Sequence, residues 1–214
     1  MHTSCTVVIS AAGVGKRMGM DCPKSLIRIA GRSLIEWQLR QLDEVKDVVV
    51  VVGYQGKEVA REVWKKRPDA LIALNHQFAT TGTAASLKLG AAIAPDRVVG
   101  LDGDLLIARD SLTPFLVSDQ TLIGVMEHQS QDAHLVRFVN GFVEEFDTEV
   151  KSNWEWSGPI NLSKDECKEL GEKHVYQGLI NSLPIPAIPI QAIEIDYQSD
   201  IARAEDWIRH QNVF

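Results

Sequence analysis

Short apolar runs alternate with helix-like segments through the first half of the chain, and this alternation constrains the fold more than any other feature. Strand-like runs lie at 6–10, 48–52, 70–74 and 97–101, and helix-like segments lie at 57–66 and 82–93. Ser33-Leu-Ile-Glu36 is a capping-box signature that opens a further helix. The valine run at 48–52 predicts a strand covered on both faces. These repeated β-α-β units predict an α/β fold with a mostly parallel central sheet and helices on both faces.

The second half of the chain has a different pattern. Strand-like runs lie at 122–126, 134–139 and 142–146, and Asn140-Gly141 is a strong hairpin signal between the last two. Helices are predicted at 164–170 and 175–182, a strand at 190–195 after Pro184, Pro186 and Pro189, and a last helix after Ser199. We therefore expect a single domain over 1–214, with a small antiparallel insertion at about 127–190.

Composition argues against several classes of function. The net charge is −7, which argues against broad electrostatic attraction to nucleic acid or to an anionic membrane. No apolar run approaches the roughly 18 residues of a membrane-spanning helix, and the first residues lack a signal-peptide pattern. The 3 cysteines are scattered without C-x-x-C spacing, so neither a disulfide framework nor a structural zinc site is indicated. A reducing, cytoplasmic location is the expectation.

A glycine-rich loop follows the first predicted strand. Its small residues let the backbone approach a nucleotide, and consecutive N–H groups can bind phosphate oxygens. These residues are Ala11, Ala12, Gly13 and Gly15. The cations Arg17 and Lys24 flank the loop, and Pro23 fixes the backbone before Lys24. Two fixed cations beside a phosphate-sized cradle suit a triphosphate, whose charge must be neutralised before an oxyanion attacks it. An ordinary strand and loop with solvated charges would have the same spacing.

Two other nucleotide-binding loops fit this spacing less well. A P-loop needs glycine where Ser10 stands and Ser or Thr where Arg17 stands, so it is excluded. A dinucleotide fingerprint needs its third glycine where Met18 stands, and no acidic residue follows the second strand to bind the ribose. A dinucleotide-dependent oxidoreductase is therefore a weaker alternative than an enzyme that uses a nucleoside triphosphate.

Two acidic pairs with i, i+2 spacing offer ligands for a divalent cation. Asp102 and Asp104 follow the strand predicted at 97–101, at the carboxyl edge where α/β sheets bind ligands. Glu194 and Asp196 alternate with isoleucines, so both carboxylates project from one face of an extended segment. Such oxygen ligands suit Mg²⁺, which takes one or two carboxylates together with phosphates and water. The alternative is a surface turn for the first pair and a solvated strand face for the second.

Segments at both ends of the chain resemble the nucleotidyltransferase superfamily of sugar-nucleotide and cytidylyl transferases. Near the start they are Ala11-Ala12-Gly13-Val-Gly15-Lys-Arg17-Met18, Pro23-Lys24-Ser-Leu26 and Gly31-Arg-Ser-Leu34-Ile-Glu36, which are similar to the pattern G-x-G-x-R-M…P-K-x-L. Near the end, Glu194-Ile-Asp196 with Asp200-Ile-Ala-Arg-Ala204-Glu is similar to the ending E-I-D…D-x-A-x-A-E of these enzymes. The resemblance implies a three-layer, Rossmann-like α/β fold that fills the whole chain.

The same resemblance implies roles for individual residues. The segment 11–13 would contact the nucleotide, and Arg17 and Lys24 would bind the triphosphate and the transition state. Asp104 and Asp196 would hold Mg²⁺, which is the cofactor expected, with Asp102 beside them at the nucleotide.

The segment at 75–87 bears on the base and on the acceptor. Asn75-His-Gln-Phe78-Ala-Thr80-Thr81-Gly82-Thr83-Ala-Ala-Ser86-Leu87 resembles the N-x-x-Y-x-x-T-N-x-x-x-S-L segment of choline-phosphate and aminoalkylphosphonate cytidylyltransferases. It has Phe78 in place of tyrosine and Gly82 in place of asparagine. Gly82-Thr83 is instead similar to sugar-1-phosphate transferases, where such a segment approaches the base. The resemblance implies Gly82 and Thr83 as nucleotide contacts and favours CTP, with a sugar-1-phosphate nucleotidyltransferase as the alternative.

Trp154 and Trp156 are candidates for recognising the acceptor. In an extended segment they share one face, and Glu149, Glu155 and Glu194 supply negative charge. Aromatic faces with carboxylates hold quaternary or primary ammonium groups, which predicts phosphocholine-like or 2-aminoethylphosphonate-like acceptors. Packing of both tryptophans in the core or at an interface explains the pattern equally well.

The predicted reaction transfers NMP from an NTP, with CTP favoured, to a small phosphate- or phosphonate-bearing acceptor. An acceptor phosphate is already anionic near neutral pH, so catalysis reduces to positioning and charge neutralisation without a general base. A non-catalytic nucleotide-binding regulator would share the fold but lack part of the cationic and acidic set. No nucleic-acid or membrane partner is expected, and a homodimer is left open.

Overall fold

Thirteen strands and seven α-helices make up the computed structural model, which describes residues 5–129, 133–146 and 151–210. The strands are β1 (Cys5–Ala11), β2 (Arg28–Ile29), β3 (Arg32–Ser33), β4 (Asp47–Val52), β5 (Leu71–Leu74), β6 (Arg97–Asp102), β7 (Leu105–Ile107), β8 (Leu122–Glu127), β9 (Val136–Val139), β10 (Phe142–Phe146), β11 (Trp154–Ser163), β12 (Ile185–Pro189) and β13 (Ala192–Glu194). The helices are α1 (Leu34–Gln41), α2 (Gly56–Lys66), α3 (Thr83–Ala91), α4 (Arg109–Val117), α5 (Lys164–Glu169), α6 (Val175–Leu179) and α7 (Gln198–His210).

Nine of the strands form one central sheet in the order β5-β4-β1-β6-β11-β8-β12-β10-β9. The pairs β5-β4, β4-β1 and β1-β6 are parallel, as the repeated β-α-β pattern predicts. Strand β11 runs antiparallel to both of its neighbours, and β10 runs antiparallel to β12 and β9. Of the strands in the predicted insertion, β11 therefore lies between β6 and β8, whereas β12, β10 and β9 extend the sheet beyond β8.

The two faces of the sheet are covered by different helices, which gives three layers. Alternate residues of β1 and β4 pack with α1, α2 and α4 on one face and with α3 on the other. The valines at 48–52 form most of β4, and each is at most 3% exposed, as expected for a strand covered on both faces. A third cluster joins α7 to β7, β13 and the segment around Met18. The predicted three-layer α/β fold is confirmed.

Local signals differ in how well they predicted the chain. Asn140 and Gly141 have φ of 50° and 85°, so the hairpin between β9 and β10 is confirmed. Ser33 caps α1 by accepting the Glu36 N–H at 3.3 Å, while the Glu36 carboxylate pairs with flanking arginines. A complete capping box occurs instead at Ser163 and Glu166, before α5.

Six elements were absent from the sequence-based prediction: α4, β2, β3, β7, β11 and β12. Helix α4 contains Pro114, and β12 contains Pro186 and Pro189, where the prolines predicted a break. Because proline has no N–H donor, the ladders of β12 are short, with two pairs to β10 and three to β8. Among the described residues, none of the helices combines the length and apolar character needed to cross a membrane.

Candidate active site

A cavity of about 450 Å³ opens at the carboxyl ends of the parallel strands. It is bordered by the loop after β1, the turn after β6, the start of α3, and residues near β11, α6 and β13. Most of the residues singled out from the sequence line it: Ala11, Ala12, Gly13, Gly15, Arg17, Lys24, Gly82, Thr83, Asp102, Asp104, Trp156, Glu194 and Asp196. Trp154 does not line this cavity. The chain thus brings its glycine-rich loop and both acidic pairs to one place.

The parallel pairing of β1 with β6 sets the position of the first acidic pair. Ser10 is the register partner of Asp102, and the Gly103 N–H donates to the Ser10 carbonyl at 3.0 Å. A Cβ at Gly103 would lie 2.6 Å from that oxygen, so only glycine fits the turn without displacement. The buried Gln38 amide donates to the carbonyls of Asp102 and Leu105, both at 2.8 Å. The turn that carries Asp104 is therefore held from two sides.

The short antiparallel pair β7–β13 brings the second acidic pair to the first. Glu194 is the register partner of Leu105, and the Ile195 N–H donates to the Asp104 carbonyl at 3.0 Å. Ile195 is buried in the core, whereas Glu194 and Asp196 face the cavity. The alternation predicted for this segment accordingly places its carboxylates beside Asp104.

Lys24 lies between the carboxylates of Asp104 and Asp196, the two residues expected to hold Mg²⁺. Its Nζ is 3.0 Å from Asp104 Oδ2 and also donates to Asp196 Oδ1. Burial lowers the pKa of this ammonium, but Asp104 and Asp196 outweigh that effect and the pKa is raised. Gly15 has φ of 66°, and a Cβ there would lie 2.8 Å from the Lys24 Cγ. The loop glycine thus leaves room for the lysine stem, and Lys24 stays protonated.

Arg17 extends the positive charge toward solvent. Its guanidinium is 3.7 Å from Asp196 Oδ1, and its side chain is 53% exposed. An exposed ion pair of this kind is weak, so the side chain can exchange the carboxylate for a phosphate group. Arg17 therefore suits the outer phosphates of a triphosphate, whereas Lys24 is held deeper.

Negative charge exceeds positive charge at this end of the cavity. Burial, and then the charge of Asp104, raises the pKa of Asp102 to about 7. Burial and the neighbouring carboxylates also raise the pKa of Glu194 well above its usual range. We call Lys24, Asp102, Asp104, Glu194 and Asp196 the acid–lysine cluster. A divalent cation would offset its excess of carboxylates.

Asp104 and Asp196 suit Mg²⁺, which proteins often bind through only one or two carboxylates. Asp104 and Asp196 both contact the Lys24 ammonium, so their oxygens already converge on one cation. Within residues 5–129, 133–146 and 151–210, no group of three or more His, Cys, Asp or Glu side chains is arranged to hold a metal ion. Two carboxylates match Mg²⁺ that is bound mainly by substrate phosphates and water.

The part of the cavity near the start of α3 contains buried polar residues. The sequence indicated them only through the segment at 75–87. Asn75 is 3% exposed, and its side-chain amide donates to Thr81 Oγ1 at 3.1 Å and to Ser86 Oγ at 3.3 Å. A Cβ at Gly82 would lie 2.0 Å from the Lys173 carbonyl oxygen. This contact explains why glycine replaces the asparagine of the cytidylyltransferase pattern, since a larger residue would displace the segment around Lys173.

Four rings that line the cavity form what we call the aromatic wall, which consists of His134, Trp156, His174 and Tyr176. The ring centroids of His134 and Tyr176 are 4.2 Å apart, and those of His174 and Tyr176 are 5.7 Å apart. Burial, and then His174 and Arg17, lowers the pKa of His134. The sequence analysis missed both histidines and Tyr176, because they lie on separate segments without a shared motif.

The predicted ammonium pocket is assembled only in part. Trp154 packs edge-on against Phe138, with ring centroids 5.2 Å apart, whereas Trp156 reaches the cavity. Glu155 is 0% exposed, and its carboxylate is 2.8 Å from His128 Nδ1. Side chains two apart in a strand share a face, and Glu155 therefore points away from Trp156. Glu149 lies outside the described residues, so of the acidic partners Glu194 lines the cavity.

Comparison with protein families identifies the chain. Residues 7–151 match the MobA-like NTP transferase domain. The chain belongs to this family. The resemblance to the nucleotidyltransferase superfamily that the motifs indicated is thereby confirmed.

Curated relatives of this family member are longer proteins. Bifunctional protein GlmU of Thermoanaerobacter pseudethanolicus is 29% identical over 140 residues, which is 64% of this chain and 28% of the relative. D-ribitol-5-phosphate cytidylyltransferase of Mus musculus is 29% identical over 134 residues, which is 59% of this chain and 30% of the relative. The chain thus spans less than a third of either relative.

Solved structures with the same fold cover the whole chain. The inositol-1-phosphate CTP transferase from T. maritima has a TM-score of 0.83 at 18% identity, and the match covers 98% of this chain and 97% of that one. The CTP:phosphocholine cytidylyltransferase from Streptococcus pneumoniae has a TM-score of 0.76 at 18% identity, covering 95% of this chain and 99% of that one. At these identities the likeness establishes the fold, in agreement with the predicted Rossmann-like architecture.

Proposed function

We propose that this family member is a Mg²⁺-dependent cytidylyltransferase, which couples CTP to a small phosphate- or phosphonate-bearing acceptor and releases pyrophosphate. The observation that carries the proposal is the Lys24 ammonium, held between Asp104 and Asp196 beside the glycine-rich loop. One fixed cation and two carboxylates that could bind Mg²⁺ converge there. The cavity has a volume of about 450 Å³, which is typical of small-molecule sites.

The residues divide the charge of a triphosphate between them. The loop at 11–13 binds the nucleotide through its backbone, and Arg17, the more exposed cation, binds the outer phosphates. Lys24 donates hydrogen bonds to the oxygens of the α-phosphate as negative charge develops on them. When bound by Asp104 and Asp196, Mg²⁺ supplies further charge neutralisation at the same phosphate.

The transfer step needs no general base. An anionic oxygen of the acceptor forms a bond to the α-phosphorus, and the bond from that phosphorus to the bridging oxygen breaks. The electron pair of the broken bond leaves with pyrophosphate. Because its carboxylate partners raise the pKa of Lys24, this residue acts as a fixed positive charge and not as a proton donor.

CTP is favoured as the donor, and the acceptor is the finer part of the proposal. A relative and two solved structures with this fold carry the words cytidylyltransferase or CTP transferase in their names. Trp156 and Tyr176 offer aromatic faces to the cavity, and Glu194 offers a carboxyl group to the same cavity. These groups support a phosphocholine-like or 2-aminoethylphosphonate-like acceptor.

A sugar-1-phosphate nucleotidyltransferase is the second candidate. Gly82 and Thr83 begin α3 in the manner that the sequence analysis associated with that class, and they line the cavity. The similarity to GlmU over 140 residues of the chain fits this candidate equally well.

The deciding experiment incubates the protein with each of the common NTPs, Mg²⁺ and a panel of acceptors, and measures pyrophosphate release. The panel contains phosphocholine, 2-aminoethylphosphonate, a polyol phosphate and a sugar 1-phosphate. We expect release with CTP and an amine-bearing acceptor, and none when the acceptor is omitted. Release with the sugar phosphate alone would support the second candidate, and no release with any pair would contradict the proposed activity.

A further inference from the structure

Asp200, in the first turn of α7, has its carboxylate directed at the segment that carries Asp196. Its Oδ2 accepts hydrogen bonds from the backbone N–H of Asp196 at 3.0 Å and of Tyr197 at 2.8 Å. Asp200 is only 7% exposed, so these bonds are shielded from water. A buried carboxylate that accepts backbone N–H bonds fixes the chain that donates them.

We infer that Asp200 is a positioning residue for Asp196, and the inference rests on the proposed function. Strand β13 ends at Glu194, so Asp196 lies beyond the β-ladder that orients Glu194. Its N–H has the Asp200 carboxylate as its acceptor, and this carboxylate sits at a helix N-terminus, where negative charge is favoured. Asp196 is thereby held at the distance at which it meets Lys24 and Asp104.

The two backbone bonds matter more than the ion pair that Asp200 also makes. Arg203 donates to Asp200 Oδ1 at 2.9 Å and to Gln129 Oε1 at 3.3 Å, but its side chain is 50% exposed. Exposed ion pairs contribute little, because water and salt screen them. An uncharged side chain of the same shape, with an oxygen for the two N–H groups, should therefore preserve the position of Asp196.

The test measures Mn²⁺ binding to the full chain with CTP present, against a blank that contains CTP without protein, by the electron paramagnetic resonance signal of free Mn²⁺. Loss of an outer group that orients a metal ligand weakens metal binding about 10- to 100-fold, so we expect this loss for Asp200→Ala. Asp200→Asn should stay within about 3-fold of the wild type, since its amide oxygen still accepts both N–H bonds. Asp196→Ala is the reference for a lost ligand.

A matched control removes a cap of the same kind away from the cavity. Ser163 Oγ accepts the Glu166 N–H at 3.2 Å in the capping box of α5. Ser163→Ala should lower Tm, as loss of a helix cap does, and leave Mn²⁺ affinity unchanged.

The outcomes separate this inference from the proposed function. Unchanged Mn²⁺ affinity in Asp200→Ala would overturn the positioning role while leaving the metal site in place. A wild-type chain that binds no Mn²⁺ would overturn both. If Asp200→Ala fails to fold, Asp200→Ser replaces it. The serine hydroxyl can still form a hydrogen bond at the start of α7, but it is too short to reach the Asp196 N–H. Unweakened binding in that variant would overturn the inference equally.

Discussion

The acid–lysine cluster and the aromatic wall line the same cavity, yet they are held in different ways. The cluster is held by backbone and side-chain hydrogen bonds, such as those from Ile195 to Asp104 and from Gln38 to the turn after β6. The wall consists of rings from separate segments that touch one another, for example His134 and Tyr176. Under the proposed function, the difference indicates that the acid–lysine cluster is fixed by the sheet edge, whereas the residues of the aromatic wall can change independently of it.

The largest effect is expected on the cluster side. Lys24→Ala and Asp104→Ala should each lower kcat by about 10²–10³-fold, because each removes a charge that neutralises the transition state. Pyrophosphate release and the far-UV circular dichroism spectrum measure turnover and folding together. Lys65→Ala is the matched control, since Lys65 is exposed and pairs with Glu62 on α2. Near-wild-type turnover in either cluster variant would remove that residue from the mechanism.

A substitution in the aromatic wall should have a smaller effect, and it should change the KM of the acceptor and not kcat. Trp156→Ala should raise the KM of the acceptor about tenfold at saturating CTP, which corresponds to about 1.4 kcal/mol of lost contact. Trp154→Ala is the matched comparison, because Trp154 packs against Phe138 and not on the cavity. It should lower Tm and leave the KM of the acceptor unchanged. Equal rises in KM for the two variants would contradict the separation of the wall from the core.

The smallest effect concerns stability and its pH dependence. The pKa of Asp102 is about 7, against an ordinary value of 3.8. Between these values the folded protein keeps a proton that the unfolded chain has released, so the free energy of unfolding falls as pH rises. Asp102→Asn removes this loss of stability at high pH, because an asparagine side chain does not titrate.

Asp102→Asn should therefore raise Tm by about 2–4 °C at about pH 8, with the gain vanishing near about pH 4. Thermal melts across that range measure it. Added Mg²⁺ should reduce the difference in Tm between the variant and the wild type, because a cation beside Asp102 lowers the pKa of that carboxyl in the folded protein. A gain in Tm that does not change with pH would show that Asp102 is not protonated in the folded protein.

The parts of the molecule that followed from the sequence are those set by local pattern. The valines at 48–52, the Asn140-Gly141 turn and the alternation around Glu194 each predicted the element or the side-chain direction that the structure has. The position of Asp102 and Asp104 was predicted from such a pattern, because α/β sheets bind ligands at the carboxyl ends of their parallel strands. That Asp196 joins them was implied by the family resemblance. Helix α4 and strand β12 were not predicted. In β12 the prolines predicted a break that tertiary packing overrides, and α4 contains Pro114, which is unusual inside a helix.

The aromatic wall could not be predicted from local sequence patterns. His134 precedes β9, while His174 and Tyr176 flank the start of α6, so only the folded chain brings their rings together. Glu155 illustrates the converse, because its position next to Trp156 in sequence places it on the opposite face. Contacts between distant segments depend on packing distances that a one-dimensional pattern does not contain.

Gly158 limits how this enzyme could be engineered. It has φ of 90° within β11, where the register with β8 shifts between Trp156 and Ile160, and a Cβ there would lie 2.6 Å from Asp102 Oδ2. Under the proposed function, a mutant library that aims at new acceptors can randomise position 156 but should spare position 158, because a side chain there would displace the Asp102 carboxylate. A selection for altered specificity that admitted changes at this glycine would recover slow enzymes before it recovered selective ones.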